Sequence, residues 1–484
     1  MNWKGISRNV GLALLVSSLF MFLSVVVSVV NGNDSALSSL IISFTVTFLA
    51  GAFPFVFVRK AQPISLKDGY VTITLSWLLS FVFGMLPYAM WGGPFTLQNA
   101  WFESVSGFTT TGATILENVE ALPKSLLFWR ASTHFIGGLG VVVFLLLIIP
   151  DSSPVKLRLV NMELGSLSRN AYAARTNRTV NIFAYVYLGI FALALVLYLL
   201  AGMPAFDALC HAMSVAATGG FSSRNASIGA FGSRWIEGIT MLCMYLSSLH
   251  FGLLFLAVAG RTLKPLNNPV VKYYTGSILI ASVLLGIGLK TGGFCRGWGD
   301  SMWNGLFEVM CISSTTGFAI ADNAQWPGAL CALIMIVAVV CGCAGSTSGG
   351  LKIDRIVLLF KSIGRQITRI LRPSSVHEVK FGGRILRDEA LLPHLLYIEL
   401  YVLLLALSTA LCLWIGVGWQ NSLAASITSI SNVGPALGDM GSMGTFNGAP
   451  DLAKLVYTLD MFLGRIEIYP VLAVVAMVFD KRRH

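Results

Sequence analysis

Long apolar runs alternate with short polar stretches along the whole chain, and their lengths suggest its architecture. Val10–Val30 and the run ending at Ala201 are apolar and nearly free of charge. Runs of this kind can cross a hydrocarbon core of about 30 Å. The first two spans are predicted at 10–30 and 36–58, joined by the polar turn Asn31–Ser35. A pattern then occurs four times: a long apolar span, a short amphipathic segment, a polar stretch with glycine, and a second long span. The first unit has spans at 69–91 and 129–149 with its short segment at 97–108. The second has spans at 180–201 and 236–259, with 204–216 between them. The third has 272–290 and 328–350, with 301–314; the fourth has 392–416 and 454–479, with 420–431. About 12 helical residues rise only about 18 Å, too little to cross. The short segments are therefore predicted as re-entrant pore helices, because irregular backbone at membrane depth must be buried in protein or line water.

The expected fold is an all-α membrane protein: an N-terminal helix hairpin plus four helix–pore-loop–helix repeats around a central pore. It has ten full spans and four re-entrant pore helices. The predicted divisions are 1–68 (transmembrane hairpin), 69–150 (repeat 1), 151–261 (cytoplasmic loop and repeat 2), 262–351 (repeat 3), 352–390 (basic cytoplasmic helix and linker) and 391–484 (repeat 4).

Composition agrees. Of 484 residues, 55% are hydrophobic and 11% charged, against about 25% charged in ordinary soluble domains. Mean hydropathy is +0.76. Val10–Val30 is too long for the core of a cleavable signal, and no small-residue cleavage site follows it, so it is read as a retained span. The net charge of +11 suggests topology rather than nucleic acid. With both termini inside, most of the 33 Lys and Arg fall in inside loops, as the positive-inside rule requires. Lys124, Arg130, Arg224, Arg234, Lys290, Arg296 and Lys454 lie outside or near outer span ends, and Arg465 lies inside a span. Seven of the eight cysteines sit in apolar segments and form no disulfide framework; Cys341-Gly342-Cys343 has no accompanying Cys or His cluster to make a metal site.

The four units align on one glycine: Gly112, Gly220, Gly317 and Gly434. Six residues earlier stand the small residues Ser106, Ser214, Cys311 and Thr428; nine earlier stand Glu103, His211, Glu308 and Ala425. The loops read Thr110-Thr111-Gly112, Thr218-Gly219-Gly220, Thr315-Thr316-Gly317 and Asn432-Val433-Gly434. Glycine permits backbone angles that turn several carbonyls inward. Rings of carbonyls replace the hydration shell of a potassium ion. Four loops in register, each after a short amphipathic segment, favour a filter over four turns without an ion.

These motifs resemble the Trk/Ktr/HKT superfamily of potassium transporters, on its bacterial Trk branch. The resemblance covers essentially the whole chain. It is carried by SGFTTTGAT (106–114), ATGGFSSRNASIG (217–229), SSTTGF (313–318), CGCAGSTSGGLK (341–352), SNVGPALG (431–438) and FLGRIEIY (462–469). The N-terminal hairpin favours Trk over Ktr. The resemblance implies potassium selectivity, since the position where Ser accompanies sodium preference in plant members is Gly112 here. It also implies that Gly345, Ser346, Thr347, Ser348, Gly349 and Gly350 form an intramembrane gate below the filter. Their small residues weaken a helix, though the same composition serves close helix packing. They are not a phosphate loop, because the Gly-Lys-[Ser/Thr] ending is missing.

The resemblance further implies that Arg465 faces the pore below the filter. A charge inside a span is costly and faces a cavity or a partner; Glu467 and Asp460 are the alternatives that would neutralise it. Glu103 and Glu308 are expected to hold the loops by hydrogen bonds. His134 and His250 are expected to be packed hydrogen-bond partners. The basic segment Lys352–Arg387 reads as a solvated or headgroup face, or as a docking site for a regulator.

The expected function is potassium-selective uptake by a channel-like pore in the bacterial inner membrane. The implied partners are a second copy, giving a homodimer, and a cytosolic TrkA-like regulatory ring binding NAD or ATP/ADP. No nucleotide motif lies in this chain. No covalent cofactor is expected, and potassium is the cargo. The rival within transport is symport coupled to sodium or protons, with His134, His250, Glu103 and Glu308 as couplers. The rival outside transport is an intramembrane protease using Ser and His134 or His250. It lacks a GxSxG-like nucleophile and leaves four repeated loops unexplained.

Overall fold

The computed structural model describes residues 1–58, 65–148, 176–373, 378–381, 384–386 and 388–480. The expected cytoplasmic loop 151–175 lies outside the described residues, as do Arg59, Lys60, Arg387 and the terminal Lys481, Arg482 and Arg483. The described residues are helical apart from their connections and one small antiparallel hairpin, β1 (Val379–Phe381) with β2 (Arg384–Leu386).

Helices α1 (Trp3–Val30) and α2 (Leu37–Phe57) form the N-terminal hairpin. The first unit contains α3 (Leu66–Gly84), α4 (Leu86–Trp91), the short α5 (Leu97–Phe108) and α6 (Lys124–Ile148). The second contains α7 (Thr176–Leu200), the short α8 (Ala205–Ala217), α9 (Arg234–Ser248) and α10 (Phe251–Ala259). The third contains α11 (Pro269–Thr291), the short α12 (Trp298–Ser313), α13 (Gly328–Val340) and α14 (Ile353–Leu371). The fourth contains α15 (Asp388–Ile415), the short α16 (Trp419–Ile430), α17 (Asp451–Arg465) and α18 (Tyr469–Asp480).

The side chains are sorted as a lipid environment requires. Along α1, Leu19, Phe22, Val26 and Val30 are exposed while Ser17, Ser24 and Ser28 are buried. In water this arrangement would be unfavourable. In lipid, association comes from close packing of small and polar residues rather than from burying leucine. Exposed Leu188, Leu200, Ile280, Leu284, Leu403 and Trp414 extend the apolar exterior over α7, α11 and α15.

Six helices among the described residues are long and apolar enough to cross a membrane: α1, α2 and the first long helix of each unit. The second long helices differ from expectation. Only α6 runs unbroken. Its counterpart in the second unit, expected as one span over 236–259, bends by 105° between α9 and α10. There Leu249 and His250 adopt extended backbone, and the His250 ring accepts from Gly252 N at 3.0 Å to start α10. The fourth-unit span, expected over 454–479, stops at Arg465. Glu467 and Ile468 take left-handed φ of 58° and 54°. Pro470 then stands in the first turn of α18, where its missing N–H is tolerated. Arg465 is therefore not inside a helical span; it is the last residue of α17.

Candidate functional site

The four short helices end in one motif. Thr110 N bonds to Gly107 O at 3.0 Å and Thr111 N to Ser106 O at 2.9 Å. The same pair recurs as Thr218 to Val215 (3.2 Å) with Gly219 to Ser214 (2.9 Å). It recurs again as Thr315 to Ile312 with Thr316 to Cys311 (both 3.0 Å), and as Asn432 to Ser429 (3.1 Å) with Val433 to Thr428 (2.8 Å). This is a Schellman cap, whose turning residue takes left-handed angles and is usually Gly. Here it is Thr110, Thr218, Thr315 or Asn432, with φ of 52°, 55°, 58° and 55°. A β-branched residue in this region is strained by roughly 1–2 kcal/mol, and residues held in this way cluster at functional sites.

Two residues on, Gly112, Gly220, Gly317 and Gly434 again have positive φ, 82°, 84°, 73° and 95°. The residue between keeps negative φ in all four strands. Alternation of this kind lets successive carbonyls face one side. The strands also close a ring. A Cβ on Gly112 would overlap the Gly219 carbonyl oxygen, one on Gly220 the Thr316 oxygen, one on Gly317 the Val433 oxygen, and one on Gly434 the Thr111 oxygen. Each strand thus abuts the next, and the fourth returns to the first.

Bonds beyond the glycines fix the ring. Val119 N donates to Asn225 Oδ1 at 2.7 Å, Gly229 N to Ala319 O at 3.1 Å, Ser442 N to Asn323 Oδ1 at 3.0 Å, and Phe446 N to Thr114 O at 2.8 Å. The small residues six before each glycine now have a role. Ser106 Oγ donates to Ala113 O at 2.6 Å and Cys311 Sγ to Phe318 O at 2.8 Å, tying each strand back to its helix. Ser214 instead meets His134 Nδ1 at 3.1 Å, and Thr428 bonds within its own helix.

The residues nine before each glycine support the strands unequally. Glu103, fully buried, accepts from Thr114 Oγ1 at 3.0 Å and Ile115 N at 3.2 Å, and pairs with Arg130 Nε at 2.5 Å. Arg130 also donates to Ser222 O at 3.0 Å, so one ion pair serves two strands. His211 meets Ser222 Oγ at 2.9 Å; Glu308 accepts from Asn323 Nδ2 at 3.4 Å; Ala425 offers nothing. His134 stacks on Phe221 at 4.0 Å, and Arg130 lies 3.6 Å from the same ring centroid. In the loop after the second strand, Arg224 pairs with Asp207 at 2.7 Å, a hydrogen bond that raises the guanidinium pKa above its ordinary value.

On the helix side of the ring lies the irregular segment 341–352, which separates α13 from α14. Its backbone pairs with groups that the break in the second unit exposes. Cys343 N donates to Ser248 O at 3.0 Å, Thr347 N to Ser247 O at 3.3 Å, and Phe251 N to Gly345 O at 2.9 Å. Arg465 donates from Nη1 to Thr347 O at 2.8 Å and from Nη2 to Gly137 O at 3.2 Å. Gly345–Gly350 and Arg465 line one recess. The four ring glycines line another on the opposite side.

The basic segment 352–387 is not uniformly solvated. Lys352 is buried with φ of 71° and donates Nζ to Ser348 O. Arg355 is buried and pairs with Glu467 at 2.6 Å. Glu467 therefore pairs with α14, and Asp460 accepts from Ser408 Oγ. Asp354 accepts from Ala344 N at 2.6 Å. Sequence reasoning missed Arg130, Asn323, Lys352 and Arg355; an Arg in an apolar span with a Glu one unit-helix away was the available signal for the first.

Apolar helices turned outward around a closed ring of glycine strands define a membrane transporter rather than a soluble enzyme. A family model described as TrkH, cation transport protein, matches residues 37–280 and 297–482, and the chain belongs to that family. It is 33% identical over 490 residues to the Trk system potassium uptake protein TrkH of Halomonas elongata, covering 100% of both chains. It is 31% identical over 484 residues to the protein of the same name from Salmonella typhimurium, covering 99% of each. Its fold matches the crystal structure of the potassium transporter TrkH from Vibrio parahaemolyticus with a TM-score of 0.87, at 29% identity and 98% coverage of both chains.

Proposed function

We propose that this chain takes up potassium selectively through a channel-like pore in the bacterial inner membrane. The observation that carries the reading is the closed ring of four strands with alternating positive φ at Thr110/Gly112, Thr218/Gly220, Thr315/Gly317 and Asn432/Gly434. Together with Thr111, Gly219, Thr316 and Val433, these residues form the filter. Rings of backbone oxygens suit a large, weakly hydrated cation, and the relatives are named for potassium uptake. The four short helices are re-entrant within ten spans, and both termini are cytoplasmic. The inside-negative potential supplies about 2.3 kcal/mol per charge per 100 mV, so inward flow needs no chemistry in this chain.

Gly345, Ser346, Thr347, Ser348, Gly349 and Gly350 form the gate, held closed by Arg465, which also sets a positive charge beneath the filter. The protein acts as a homodimer, and a cytosolic TrkA-like ring binding NAD or ATP/ADP pulls α14 to release the gate. Support for that lever comes from Lys352, Asp354 and Arg355, which join the start of α14 to the loop and to Glu467. Fluxes of potassium, rubidium and sodium into liposomes, with and without the ring, test the reading. Selective potassium flux stimulated by the ring is the expected result. Obligatory dependence on sodium or pH would instead establish coupled symport.

A further inference from the structure

The first residues of the four strands differ in what their side chains hold. Thr218 Oγ1 donates to Ala217 O at 2.6 Å. Asn432 Nδ2 donates to Thr111 Oγ1 at 3.0 Å and to Met461 O at 2.8 Å. Thr110 Oγ1 and Asn432 Oδ1 are buried oxygens without a hydrogen-bond partner among the described residues. Thr315 alone reaches the gate segment: its hydroxyl accepts from Gly349 N at 2.9 Å. A Cβ on Gly349 would overlap the Ser431 carbonyl oxygen and lie 3.1 Å from the Asn432 side chain. The loop backbone at Gly349 is therefore bonded to the first residue of the third strand and leaves no room for a side chain beside Ser431 and Asn432 of the fourth.

We propose that the Thr315 hydroxyl is shared between gate and cargo. With the loop seated, it holds the Gly349 N–H. With the loop withdrawn, it joins the other oxygens at the helix end of the ring as a potassium ligand. The two states exclude one another, because an N–H directed at that oxygen sets a partial positive charge where the cation would approach. An ion that binds only the unlatched state shifts the equilibrium toward it, and by linkage the unlatched state binds the ion more tightly. Potassium in the pore thus favours opening of its own gate. This rests on the filter-and-gate reading above.

The test uses the full-length protein. Hydrogen–deuterium exchange over 341–352 is compared in potassium and in N-methyl-D-glucamine, and potassium is expected to speed it several-fold. Thr315→Val, which keeps the shape and removes the hydroxyl, should exchange fast in both media and leak several-fold more potassium into liposomes without the partner. Thr315→Ser should retain the potassium dependence of exchange. Exchange indifferent to potassium in the unmodified protein would overturn the proposal, and that measurement requires no variant to fold. If deleting Gly345–Gly349 raises flux while exchange ignores potassium, only this inference fails. If the deletion also leaves flux unchanged, the gate reading beneath it fails.

Discussion

Arg465 donates a hydrogen bond to the backbone carbonyl of Thr347 at 2.8 Å. Its second nitrogen reaches Gly137 O on α6 at 3.2 Å, so one guanidinium joins the loop of the third unit to the unbroken helix of the first. Lysine is a point charge and cannot fork in this way.

Arg465→Ala should release the loop. Hydrogen bonds to a charged group contribute about 1.5–3 kcal/mol each. Losing even one shifts a closed–open equilibrium by roughly tenfold. Partner-free potassium flux in liposomes should rise accordingly, with Arg465→Lys intermediate. Unchanged flux and unchanged potassium affinity would put Arg465 outside the pore.

Deleting Gly345–Gly349 should raise basal flux further and erase the effect of Arg465→Ala, because the carbonyl that Arg465 holds then has no loop to retain. The double variant checks this: additive increases would mean that the two act separately, and unaltered flux after the deletion alone would reduce the segment to helix packing.

The Glu103–Arg130 pair should contribute to stability rather than to flux control. Both side chains are buried, and removing one partner of such a pair costs about 3–5 kcal/mol. Glu103→Ala should lower the thermal unfolding midpoint of the purified protein markedly. Glu103→Ala with Arg130→Met should lower it by less than the sum of the two single changes. Additivity would show that the pair does not act as a unit.

The repeated parts of this fold were legible because they are local. The apolar runs gave the hairpin and the first helix of every unit, and α5, α8, α12 and α16 lie within a few residues of their expected segments. The aligned glycines identified strands that meet in a ring. The breaks in the second helices were less legible. At 341–352 the small residues announced the interruption. At Leu249–His250 only Gly252 stands nearby, and the break is stabilised by bonds to Cys343, Gly345 and Thr347, nearly a hundred residues away in sequence. Near Arg465, Pro470 signals a helix start, while the apolar run on both sides reads as one span. For Lys352 and Arg355, charge density suggests a solvated or headgroup face or a docking site, and says nothing about which cations a distant Glu467 or a carbonyl captures.

On this reading the glycine ring passes potassium selectively and passively. Its most direct test is the reversal potential of the purified protein in a bilayer with opposed potassium and sodium gradients, measured beside Gly112→Ser. Gly112 has φ of 82°, and any Cβ there meets the Gly219 carbonyl, so the substitution must deform two adjacent strands. The expected result is a reversal potential that follows the potassium gradient regardless of sodium or pH, and a several-fold loss of potassium preference in Gly112→Ser. A potential that depends on sodium or pH, or a permeability ratio untouched by Gly112→Ser, would contradict it.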